Sequence, residues 1–205
     1  REDIPEQYKW NVSDIFKSWD EWNASVSDLE KKMDEIVALK GTLNKDADSF
    51  LKVFKLQDEL GIIAGKVYRY VSLQYDVNTK DQDLAAKIQK VQIMFAKYGT
   101  ATAWISPEML QIPQDKIEGW MKENKEFEQY RFGIEDLFRQ QKHVLNEDKE
   151  TLLSYFNSFS GTARSTYSAL STTDINFPTI TLSDKSEIKA TSGNYSKVLR
   201  TNWNQ

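Results

Sequence analysis

Cysteine is absent from all 205 residues, and histidine occurs once, at His143. The first absence excludes disulfides, thiolate metal sites and a cysteine nucleophile, and it fits a reducing, cytoplasmic setting. The second excludes the His-Glu-x-x-His pair that holds zinc on one helical turn, since Val144 follows His143 and no second imidazole exists. Only carboxylates are left as metal ligands, and these suit Mg²⁺ or Ca²⁺ better than Zn²⁺. No run approaches the roughly 20 apolar residues that a membrane-spanning helix requires, so no membrane partner is expected. Gly-x-Gly does not occur, which removes the glycine-rich phosphate loops. Charge of one sign is also missing. Lys and Arg number 27 against 31 Asp and Glu, and the net charge of −4 comes with no basic stripe, so nucleic acid is not an expected ligand. The start, Arg1-Glu2-Asp3-Ile4-Pro5, has no apolar stretch of the kind a signal peptide carries. It also lacks an initial Met, as expected of a chain trimmed from a longer one. Sequons at Asn11, Asn23 and Asn194 are no more than this much Ser and Thr yields by chance.

What is present is ordinary for a globular chain, with 40% hydrophobic and 28% charged residues, and generous in aromatics, with six Trp, nine Tyr and ten Phe. From Ser18, the apolar residues Trp19, Trp22, Val26, Leu29, Met33, Ile36 and Leu39 recur at spacings of three and four. This predicts a helix that Gly41 can stop in the left-handed conformation. A second stripe, Phe50, Val53, Phe54, Leu60, Ile63, Val67, Tyr70 and Val71, predicts a helix to about Gln74, softened at Gly61 and Gly65. Thr79 is the expected cap of a third, with Gln82 three residues on and Leu84, Ile88, Val91, Phe95 and Tyr98 as its stripe. Three such helices joined by short turns must pack as antiparallel neighbours.

The pattern breaks around Ser106-Pro107, and Pro113 opens a helix whose inner side is Ile117, Trp120 and Met121. Residues 128–141 read as a further helix with Phe132, Ile134, Leu137 and Phe138 apolar. Asn146 then caps a helix packed through Leu152, Leu153 and Phe156. Pro178 to Leu182 and Glu187 to Ala190, around the polar turn 183–186, read as a β-hairpin with Ile180, Leu182 and Ile188 on one face. Residues 194–200 read as a helix start. The fold class expected is mainly α, an antiparallel helical bundle or layers with a small β-hairpin near the C-terminus. The expected division is a helical bundle over 1–112 and a helical segment with the hairpin over 113–205.

No residue qualifies as a catalytic, cofactor-binding or metal-binding site. His143 reads as a loop histidine between two helices, and the serine-rich stretch around Phe159-Ser160-Gly161-Thr162 lacks the Gly-x-Ser-x-Gly elbow of a nucleophile. Asp81-Gln82-Asp83 opens like a calcium loop without its later Gly and Glu. Helix N-terminal charge accounts for it, as it does for Glu147, Asp148 and Glu150. Tyr68, Tyr70 and Tyr75 are either a broad helix–helix core or the wall of a peptide channel. Arg69 and Arg131 are placed either to pair with surface carboxylates or to bind a peptide carboxylate.

Two segments carry a family resemblance. One is Ile4-Pro5-Glu6-Gln7-Tyr8-Lys9-Trp10 running on to Asp14-Ile15-Phe16. The other is Tyr130-Arg131-Phe132, Glu135-Asp136-Leu137, Lys142-His143-Val144-Leu145-Asn146-Glu147-Asp148 and Thr173-Asp174-Ile175-Asn176-Phe177-Pro178. Together they resemble the N-terminal region of oligoendopeptidase F, among the thimet-oligopeptidase-like zinc metallopeptidases. The resemblance implies a helical region packed on a larger helical catalytic domain, the two enclosing a channel that admits short peptides. It places zinc further along, on a His-Glu-x-x-His motif and a later glutamate that this chain lacks. The chain is therefore expected to be the non-catalytic N-terminal part of a zinc metalloendopeptidase, inactive alone, with zinc only in the full-length protein. Its expected partners are the missing C-terminal catalytic domain and an oligopeptide substrate. The alternative is a stand-alone helical binding or scaffold protein without peptidase activity.

Overall fold

A computed structural model of the chain describes residues 4–195. Three long helices form its base: α1 (Trp19–Val37), α2 (Ala47–Val77) and α3 (Gln82–Ala101). Their starts follow from capping chemistry. The Ser18 hydroxyl accepts the Glu21 N–H, and the Asp46 carboxylate accepts the Ser49 N–H, which holds the Asp46 carboxyl below its usual range. The third cap is Asp81, whose carboxylate accepts from both Asp83 and Leu84, and this corrects the expected cap at Thr79. An ionised carboxylate next to two free N–H groups of the first turn outcompetes a hydroxyl two residues upstream. The same contacts give Asp81 its role, a helix cap.

α2 runs unbroken past the expected end at Gln74. Gly61 and Gly65 do not soften it, because both face outward with nothing near them, while Leu60, Val67, Tyr70 and Val71 are buried on the other side. A helical glycine costs about 1 kcal/mol relative to Ala, which burial of that face outweighs. α1 lies antiparallel to α2, held by the buried Trp22 indole N–H donating to the Val67 carbonyl at 2.9 Å. Near their shared end, Tyr70 packs edge-on against Phe16 and Trp19, with ring centroids 5.4 and 4.9 Å apart. The turn after α1 passes through Gly41 at φ +79°, the left-handed position expected of it.

Beyond α3 come α4 (Ile105–Leu110), α5 (Gln114–Glu123), a 3₁₀ segment Lys125–Tyr130, α6 (Arg131–Arg139), a 3₁₀ turn Gln141–His143, and α7 (Glu147–Ser154). From α4 to α6 they pack into the same core as α1–α3: Met109, Ile117, Met121, Phe127 and Ile134 join one buried cluster with Phe50 and Leu29. Phe50 sits 5.7 Å from Trp120 and 6.0 Å from Phe127. The predicted helix over 128–141 begins only at Arg131, since the tighter winding before it drives Phe127 fully inside. Phe132, one of the apolar residues of that segment, is 81% exposed. It lies two residues, about 200° around the helix, from the buried Ile134.

Asn146 caps α7 as expected, accepting the Lys149 N–H. Leu152, Leu153 and Phe156 do not pack inward, being 60%, 52% and 54% exposed. α7 meets α3 through a small polar contact instead. Ser154 is its buried residue, with Oγ 2.9 Å from Thr100 Oγ1 and 2.7 Å from the Thr151 carbonyl.

Contacts divide the chain into two compact units, after Ser160. Within the second, α8 (Thr162–Ala169) leads through one π turn, Leu170–Asp174, to a two-stranded antiparallel hairpin, β1 (Thr179–Thr181) and β2 (Glu187–Lys189). Ile180 pairs with Ile188, the face expected, and the turn carries Lys185 at φ 69°. Thr191 caps a single turn, α9 (Ser192–Asn194). The helix expected over 194–200 falls mostly outside the described residues. The fold is mainly α, antiparallel helices with one small hairpin near the C-terminus.

Candidate functional site

A cavity lies between α1 and α3. It is a groove of about 650 Å³. Residues spaced by three and four build each wall: Glu30, Met33, Asp34 and Val37 on α1, and Lys90, Ile93, Met94, Lys97 and Tyr98 on α3. Met33 is buried, whereas Ile93 is 47% exposed. Tyr98 lines the groove from α3. Burial pushes its phenol up, the Gln57 side chain acts in the opposite sense, and its hydroxyl makes no hydrogen bond of normal geometry.

The residues weighed from the sequence do not converge on this groove. His143 is exposed in its 3₁₀ turn, and its backbone N–H donates to the Gln140 carbonyl at 2.8 Å. Tyr70 is core, 5% exposed, and the half-buried Tyr68 packs against that core, so both serve helix packing, while Tyr75 is half-buried. Arg131 bonds Glu128 through Nε and Nη2 and pairs with Glu135 at 3.5 Å, and the Glu128 bond leads the factors that hold its guanidinium above its ordinary pKa. Arg69 is exposed. Glu147 pairs with Lys40, and Glu150 accepts the Leu145 N–H at 2.8 Å, so both carboxylates tie elements together.

A second feature is an apolar surface on the last part of the first unit. Leu152, Leu153, Tyr155, Phe156 and Phe159 are each more than half exposed. The second unit has its own exposed apolar side chains, Tyr167 and Leu170 among them.

One arrangement was invisible in the sequence. The Glu108 carboxylate accepts N–H groups from Gly41 at 2.7 Å and Leu43 at 2.9 Å, so α4 holds the turn between α1 and α2. Lys116 of α5 grips the same turn through the Asn44 carbonyl and side chain, both at 2.8 Å. Only the lone acid in an apolar helix, Ile105 to Leu110, hinted at such a role.

The described residues form a long-helix layer with short helices and a small hairpin near the C-terminus, and no catalytic set converges among them. In sequence and fold the chain is similar to the N-terminal region of oligoendopeptidase F proteins. The family profile described as Oligopeptidase F covers residues 108–177. Oligopeptidase PepF of Bacillus subtilis (strain 168) is 28% identical over 98% of the chain and 30% of its own length. Group B oligopeptidase PepB of Streptococcus agalactiae serotype III (strain NEM316) is 26% identical over 98% of the chain and 33% of its own. The crystal structure of oligoendopeptidase-F from Enterococcus faecium superposes with a TM-score of 0.77 at 27% identity, covering 90% of this chain and 36% of that one. The chain spans about a third of the length of the relatives it matches.

Proposed function

We propose that this chain is the non-catalytic N-terminal part of an oligoendopeptidase F-like zinc metalloendopeptidase of the cytoplasm, whose whole protein hydrolyses internal bonds of oligopeptides. In this reading the segment forms part of the substrate channel wall and excludes folded proteins by size. The observation that carries it is the likeness to peptidases along 98% of the chain. The exposed side chains from Leu152 to Phe159 support it as a docking surface for the remaining, catalytic region.

The residues here do not fit zinc. The chain has one histidine and no cysteine, and among the described residues no three His, Asp or Glu gather closely enough to hold a metal. Zinc and the carboxylate that activates its water therefore belong, in our proposal, to the region that the longer relatives have in addition.

The test is hydrolysis of an internally quenched oligopeptide. The 205-residue chain is expected to give no turnover with added zinc. The polypeptide extended C-terminally to its relatives' length is expected to turn over, and to lose that activity to a chelator. Metal-dependent turnover by the homogeneous short chain, or none by the extended one, overturns the proposal.

A further inference from the structure

The groove between α1 and α3 has properties that the peptidase reading does not use. Its floor is apolar, with Met33, Met94 and the half-exposed Ile93. Its rims differ in sign: Glu30 and Asp34 line the α1 side, and Lys90 and Lys97 the α3 side. Among the described residues none of these four takes part in an ion pair, whereas Lys32, on another face of α1, pairs with Glu59 at 2.8 Å. Oppositely charged rims left unpaired on either side of an apolar floor have the pattern that flanks a helix seam in a bundle.

We propose that this groove receives an amphipathic α-helix with an apolar stripe between one basic and one acidic edge. The basic edge lies over Glu30 and Asp34 and the acidic edge over Lys90 and Lys97, so that α1, α2 and α3 become three members of a four-helix arrangement. Several features select a helix as the occupant. The trough between two packed helices accepts the ridge of a third. An extended peptide would lay backbone N–H and C=O groups against Met33, Ile93 and Met94 with no partners, whereas a helix satisfies its own. The α3 wall runs from Ala86 to Ala101, about 23 Å at 1.5 Å per residue, and the α1 wall from Glu30 to Val37, about 10 Å, so a helix lying along α3 meets the α1 rim over two turns. The unbranched, polarisable side chains of Met33 and Met94 adapt their shape to an incoming ridge. Reversing the helix exchanges its edges, so the mixed charge pattern fixes direction as well as partner.

The probes are three synthetic helix-forming peptides of about 18 residues that share one leucine stripe. One carries a lysine edge and a glutamate edge, one has two lysine edges, and one has two glutamate edges. Fluorescence anisotropy with the 205-residue chain is expected to rank the mixed peptide at least ~10-fold tighter than the others. The E30K/D34K variant makes both rims basic and should shift the preference to the peptide with two glutamate edges. Ile93→Lys should weaken all three by more than ~10-fold with an unchanged circular-dichroism melt, since the side chain is already half exposed. Equal affinities, a preference unmoved by E30K/D34K, or no binding of the mixed peptide to folded chain each overturns the proposal. A dimer seen in sedimentation that Ile93→Lys dissolves would assign the face to a second copy, and would overturn it too.

Discussion

Single residues show how this chain spends polar groups on tying elements together. The Tyr130 hydroxyl donates to the Asp58 carboxylate at 2.6 Å, joining the 3₁₀ segment to α2. Burial, then this hydrogen bond and the charges of Asp58 and Glu126, push the phenol up to about 12. The sign follows from linkage. A phenol raised above its unfolded value of ~10 keeps its proton longer in the folded state, so its contribution is complete below pH ~10 and is lost as pH rises towards 12. Tyr130→Phe should therefore lower stability at neutral pH by about 1 kcal/mol. Its difference from the unmodified chain should shrink between pH 10 and 12, as urea midpoints at each pH would reveal. A difference that stays constant across that window would mean that the hydroxyl is uncoupled from Asp58.

At the scale of elements, one cap was legible in the sequence and corners were not. Asn146 acts within three residues of itself, so local chemistry announces it, whereas the signal at Thr79 fell two residues short of the cap at Asp81. The turn between α1 and α2 is held by Glu108 and Lys116, more than 60 residues downstream, and nothing local to either residue reveals the partner. Glu108→Gln keeps the shape but leaves at most one acceptor for two N–H groups. It should cost about 1–2 kcal/mol by thermal or urea unfolding, more than the same change at the exposed Glu118. In the helix predicted over 128–141, Phe132 and Ile134 are both apolar yet stand on opposite sides, so only one of them reaches the core.

For the whole molecule, the decisive question is which apolar surface the chain itself covers. Leu152 and Phe156 are the strongest case, exposed where the sequence predicts burial because α7 meets α3 through Ser154. The double change L152E/F156E should alter the stability of the 205-residue chain by less than about 0.5 kcal/mol. It should also weaken association with a separately produced C-terminal region, measured by co-sedimentation. A large loss of stability would show that these side chains already pack within the chain.

The sequence by itself determined the absence of a His-Glu-x-x-His site, the three long helices, the cap at Asn146 and the shared face of Ile180 and Ile188, because each depends on residue type at short spacing. The same short-range chemistry carried the family resemblance. The tertiary structure decided which acids became ties, which aromatics stayed at the surface, and that α1 and α3 frame an open trough with rims of opposite charge. Those outcomes depend on how helices rotate and cross against distant neighbours, and burial is a property of that packing rather than of any one stripe.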